Sequence, residues 1–252
     1  MYVTKHESMS VRLVPFIRCL AAGAARCICA AAGSARAAVY NIYSDFSSSS
    51  DPSGAWTYGY EPSVNGAFTT YATEQQYGST QYWFYHTVGA GGLPNIGHGG
   101  LVGYPTGSVE MQAGDNSPSN SNDYAYVSVL RFTAPSAGAY SADINFTGIG
   151  AGSDTQDYVY VDGAPVLQQE VKNQGTATYS NGLLTLTAGE IVDIIVSNGA
   201  GNSTNPGDTN LVGVTAVLQS PPADVPEPAS LALLGVAVVW MTAVRRRIRQ
   251  AI

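Results

Sequence analysis

Ser128–Gly148 reads SVLRFTAPSAGAYSADINFTG. Ser128, Leu130 and Phe132 fall on one face of an extended chain, and Tyr124 and Tyr126 extend the same face upstream. Pro135–Gly138 turns the chain, after which Tyr140, Ala142, Ile144 and Phe146 alternate again. A period of two puts every second side chain on one face, so this stretch is two half-buried strands joined by a turn.

The same pattern spreads outward in both directions. Downstream, Tyr158–Val161 and Val166–Val171 flank Asp162-Gly163, a strong hairpin signal. Leu184 and Leu186 lead through Ala188-Gly189 to Val192, Ile194 and Val196, and Leu211–Leu218 is a last strand. Upstream, Val39–Phe46, Trp56–Tyr60, Phe68–Thr73, Gln81–Val88 and the segment around Val109 and Met111 read as strands. Gly89–Gly103 and Gly114–Asp123 read as loops. About eleven short strands with no helical pattern between the two ends predict an all-β fold, an antiparallel two-sheet sandwich of jelly-roll type.

Charge divides the 252 residues into three parts. Residues 39–224 hold 16 of the 18 acids and only Arg131 and Lys172 as bases, a net charge of −14. Both flanks are basic. Such a body cannot neutralise phosphates and is not expected to bind nucleic acid. All three cysteines (Cys19, Cys27, Cys29) precede residue 38, so a mature body would carry no disulfide and no thiolate site.

The flanks read as targeting segments. Residues 1–37 have a basic start, an Ala-rich apolar stretch and a small-x-small site at Ala35–Ala37, predicting a secretory signal cut between Ala37 and Ala38; Met9 is an alternative start. At the other end, Val225-Pro226-Glu227-Pro228 precedes the uncharged run 229–244 and then Arg245, Arg246, Arg247 and Arg249. Sixteen helical residues span about 24 Å, short of a ~30 Å hydrocarbon core, a gap that snorkelling arginines narrow. The arginines predict a cytoplasmic end and an outward-facing body. Three parts follow: signal 1–37, exported sandwich 38–220 and sorting tail 221–252.

The tail resembles the PEP-CTERM sorting signal in its VPEP motif, its apolar helix with Gly235 and its RRRIR cluster at 245–249. That resemblance implies recognition by an exosortase, after passage through the secretion machinery, with a cut near Pro226-Glu227-Pro228. It also implies a Gram-negative host that makes exopolysaccharide, and a body anchored first at the inner membrane, then passed to the envelope or the outside. WTYGYEP (56–62), PNIGHGG (94–100), DYVYVDG (157–163) and LTLTAGEIVDIIVSNGAGN (184–202), with the opening stretch, resemble an exported β-sandwich domain common in proteins with such tails. Its strand pattern is similar to galactose-binding-like and carbohydrate-binding jelly rolls, an analogy of fold alone.

Trp56, Tyr58, Tyr60, Tyr82, Trp83, Phe84 and Tyr85 crowd two strands. Sugar rings stack on such side chains, and Trp56, Tyr58, Trp83 and Tyr85 are the candidate glycan platform. The competing reading places alternate aromatics in the core. In Gln81–Val88 both faces are aromatic, which leaves one face for a ligand or a covering loop. Asp154, Asp157, Asp208 and Asn210 are hard oxygen donors and candidate ligands for a structural Ca²⁺, although Asp and Asn also serve turns. No other cofactor is expected. His86 and His98 form no helical metal pair, no nucleophile elbow or dinucleotide fingerprint is present, and Arg131 is expected to pair with a carboxylate. No catalytic residues emerge. The reading is a non-catalytic envelope or matrix protein, glycan-binding in an exopolysaccharide setting. The alternatives are an exported glycan-active hydrolase and a structural module without a ligand.

Overall fold

The computed structural model describes residues 36–85, 93–99, 103–114, 126–149, 154–198 and 210–222. Ala37–Pro221 forms a compact unit. It contains two antiparallel sheets.

The larger sheet runs β12 (Thr176–Leu186), β9 (Gly138–Gly148), β14 (Leu211–Gln219), β7 (Val109–Gln112), β6 (Asn95–His98), β5 (Thr80–Phe84) and β4 (Thr73–Tyr77). A short β1 (Val39–Asn41) also pairs with the end of β14. The smaller sheet runs β11 (Ala164–Lys172), β10 (Asp154–Val161), β13 (Ile191–Asn198), β8 (Val127–Thr133), β2 (Trp56–Glu61) and β3 (Thr69–Thr70).

The alternation seen in Ser128–Gly148 is the core pattern. Leu130 and Phe132 on β8 face Tyr140, Ile144 and Phe146 on β9, and all five are fully buried in one cluster. The two strands belong to different sheets, so Ala134–Ser136 carries the chain across the sandwich. The β10–β11 hairpin turns at Asp162 (φ 47°) and Gly163 (φ 77°), the left-handed pair that a tight two-residue turn requires.

Three local departures from the sequence reading have physical causes. Val39–Phe46 is a strand only to Asn41. There the Asn41 side chain accepts from Tyr43 N, and Asn41 N donates to Asp45 Oδ2 at 2.9 Å, so capping starts a helical turn, α1 (Ile42–Asp45). Residues 95–98 form β6 inside what reads as a loop, because its two neighbours β5 and β7 supply the pairing that Gly97 obscures. Thr73–Tyr77 forms β4, a fully polar-looking edge strand with four exposed residues.

The outer face of the smaller sheet carries a second cluster. Residues 62–68 fold over it, packing Val64 and Phe68 on Val127, Val129 and Ile195. This covering is why β13 is buried on both faces.

Candidate functional site

The structure sends the expected platform residues to two places. Trp56 and Tyr58 have no exposed surface and Trp83 retains 8%. Tyr58 stacks on Trp83 at 6.2 Å across the sheets, and Trp83 Nε1 donates to Ser47 O at 2.8 Å. All three fill the core, and a ring enclosed on both faces offers nothing to a sugar. Tyr85 is half-buried, with its backbone N–H bonded to Pro94 O. It meets Tyr60 at 4.5 Å and Tyr126 at 5.0 Å, edge to face, while Tyr60 also stacks on Tyr71 and Tyr126. Tyr71 is tied to Ser128, whose hydroxyl donates to Asn95 O at 2.9 Å.

Along β5 the faces alternate. Trp83 points inward, whereas Tyr82 and Phe84 point outward and lie 5.4 Å apart at 25°. The outward tyrosine belongs to a cluster that the sequence reading did not assemble. Tyr82 and Tyr104 both donate their hydroxyls to Glu110 Oε2, at 3.3 and 2.9 Å. Burial pushes the Glu110 carboxyl above its ordinary range, and the two hydroxyl donors oppose that rise. Burial also raises Tyr82 to about 12, so its hydroxyl stays protonated and donates.

Three of the candidate calcium ligands lie among the described residues. Asp154 and Asp157 are three apart on β10 and so point to opposite faces. Asp157 is fully buried on the inward face, where the Thr155 hydroxyl donates to it at 3.3 Å. Burial lifts its carboxyl well above the usual range, against the bond from the Thr155 hydroxyl. Asn210 instead donates to the side chain of Asn198, whose amide bonds Gly114 O at 2.6 Å. Asp208 and His86 lie outside the described residues. Among the described residues no group of three His, Cys, Asp or Glu is placed to hold a metal ion.

Arg131 pairs as expected. Its Nε and Nη2 bind Asp193 at 2.7 and 2.8 Å, Glu61 lies 3.7 Å away, and the Phe68 ring covers the guanidinium at 3.9 Å. Gly59 permits this cover, since a Cβ there would lie 2.6 Å from the Phe68 ring. Burial and the neighbouring Asp193 raise Glu61 to about 7 against the pull of Arg131.

At the edge of β14 the two ends of the sandwich meet. Ala38 N donates to Ser220 Oγ at 3.0 Å, and Ser220 N returns a bond to Ala38 O at 2.9 Å. Val225 follows Ser220 by five residues in the chain. Residues 224–247 match the PEP-CTERM protein-sorting motif. The signal segment, the motif residues Val225–Pro228, the apolar run 229–244 and the arginine cluster lie outside the described residues. Among the described residues no helix is long and apolar enough to cross a membrane.

No curated protein matches the sequence. Among solved structures, the chain is similar to the CBM36-1 domain of a multidomain xylanase from the hindgut metagenome of Trinervitermes trinervoides. That match has 10% identity and a TM-score of 0.30, and covers 48% of this chain and 84% of that one. A family 35 carbohydrate binding module from an environmental isolate matches at 19% identity and TM-score 0.28, covering 50% and 84%. Another from Clostridium thermocellum matches at 14% and 0.27, covering 72% and 90%.

Proposed function

We propose that this PEP-CTERM protein is exported, processed by an exosortase near Pro226-Glu227-Pro228, and retained in the envelope or extracellular matrix as a non-catalytic, glycan-binding sandwich. The sorting motif carries the reading. The body supports it in two ways. It is a sandwich whose ends, Ala38 and Ser220, are laced together just before the motif, so the tail can be cut without unravelling a strand. Two of its buried carboxylates are engaged inside the fold, Asp193 by Arg131 and Glu110 by two tyrosines. Inner-membrane anchoring through 229–244 precedes the cut.

The test replaces Pro226, Glu227 and Pro228 by alanine in the host and fractionates the cells. The full-length chain should accumulate in the inner membrane, as it should in a strain lacking the exosortase. Unchanged release of the mutant body contradicts the proposal.

A further inference from the structure

Glu110 on β7 has two cross-strand partners, and both are glycine: Gly97 on β6 and Gly213 on β14. A glycine inside a strand marks a close approach by another group. Here the group at each glycine is a tyrosine ring. A Cβ on Gly97 would lie 2.6 Å from Tyr82 Cδ1; one on Gly213 would lie 3.2 Å from Tyr104 Cδ1 and 2.9 Å from Pro105 Cδ. The rings therefore rest against bare backbone on either side of β7, about 10 Å apart across two strand spacings. Their hydroxyls converge on Glu110, which is 6% exposed and acts as the positioning residue between them. Each tyrosine keeps part of its surface in solvent.

Beside them runs a ladder of hydrogen-bonding side chains, flanked by the exposed Asp143, whose Oδ1 accepts from Asn145 Nδ2 at 3.1 Å. The Thr178 hydroxyl on β12 donates to Asn145 Oδ1 on β9 at 2.8 Å, and Asn145 Nδ2 donates to Thr215 Oγ1 on β14 at 3.3 Å. Thr215 is two residues from Gly213, on the same outward face. The body's two basic residues, Arg131 and Lys172, both belong to the other sheet.

We infer that the outer face of the larger sheet binds a neutral glycan chain, the rings of Tyr82 and Tyr104 stacking on sugar faces and Thr215, Asn145 and Thr178 bonding hydroxyls. This rests on the glycan-binding reading above and places the site on the sheet. The chemistry selects the ligand class. Flat apolar rings beside a row of hydroxyl, amide and carboxylate groups match a pyranose, which has a C–H face and a hydroxyl rim. A polyanion is repelled by a body of −14 that offers no cation on this face.

The experiment titrates the purified full-length chain with cellohexaose, mannohexaose and xylohexaose, and with hexagalacturonate as the anionic control. At least one neutral hexasaccharide should bind and the anionic one should not. Tyr82→Ala and Tyr104→Ala should each weaken binding about tenfold or more, as loss of a central aromatic anchor does. Tyr82→Phe and Tyr104→Phe, which keep the rings, should stay within about threefold. Should an alanine variant melt early, Thr215→Val and Asn145→Ala decide instead, because they leave both rings in place and should still lose affinity. Full affinity in the Tyr82, Tyr104 and Thr215 variants, with loss in Tyr85→Ala, overturns this site while leaving the glycan-binding reading intact. No binding of any neutral hexasaccharide by the wild type overturns both.

Discussion

Replacing Glu61 with glutamine should stabilise the sandwich at pH 8 and leave it unchanged at pH 4. Glu61 is 1% exposed, and burial with Asp193 alongside lifts its carboxyl from 4.5 to about 7. The folded state therefore holds this proton more tightly than the unfolded chain does. Below about pH 4.5 both states are protonated and the group costs nothing. As pH rises toward 7 the unfolded chain ionises first, so stability falls across that window. A shift of that size is worth about 3 kcal/mol at ~1.36 kcal/mol per unit. Solvent reaching the pair at Arg131, whose side chain is 21% exposed, screens the charge and reduces the figure to about 1–2 kcal/mol. Glutamine removes the ionisation and still accepts from Gly66 N, which donates to Glu61 Oε2 at 3.0 Å. Thermal melts at pH 4 and pH 8 should show the variant melting roughly 3–6 °C higher at pH 8 only. Equal destabilisation at both pH values would refute the reasoning.

Three further outcomes are expected. Trp56→Ala should cost about 3–5 kcal/mol, read by denaturant melts, because Trp56 is fully buried against Phe132 at 5.3 Å; an unchanged midpoint would return it to the surface. Arg131→Ala should cost about 3–5 kcal/mol, more at pH 8 than at pH 5, because Asp193 and Glu61 are left side by side without a cation; equal loss at both pH values would assign Arg131 a packing role only. A reporter fused after Ile252 should be cytoplasmic and one inserted at Ser220 periplasmic, and opposite activities would reverse the assigned topology.

The strands around Ser128–Gly148 were legible because burial of one face writes alternation directly into the sequence. The sheet that each strand joins was not, since β8 and β9 alternate alike and yet face one another across the core. β4 was hidden because an edge strand exposed on both sides carries no alternation, and β6 because Gly97 breaks it. The aromatic site was half legible. QYWFYHTV announces two aromatic faces, but nothing local says which one points out; Trp83 turns into the core and Tyr82 toward Glu110 on the outer face. Gly97 and Gly213 were the available signal, each a glycine inside a strand that makes room for a ring. Their pairing with Glu110 exists only in the register. Asp154 and Asp157 read as loop residues because their composition is that of turns, whereas both lie on β10, whose parity separates them.

Intact-mass measurement of the protein recovered from the envelope and medium of its host tests the sorting most directly. The mature chain should begin at Ala38 and end at or beside Pro226-Glu227-Pro228, so the mass of residues 229–252 should be missing. A recovered chain that still ends at Ile252 outside the inner membrane would contradict the account.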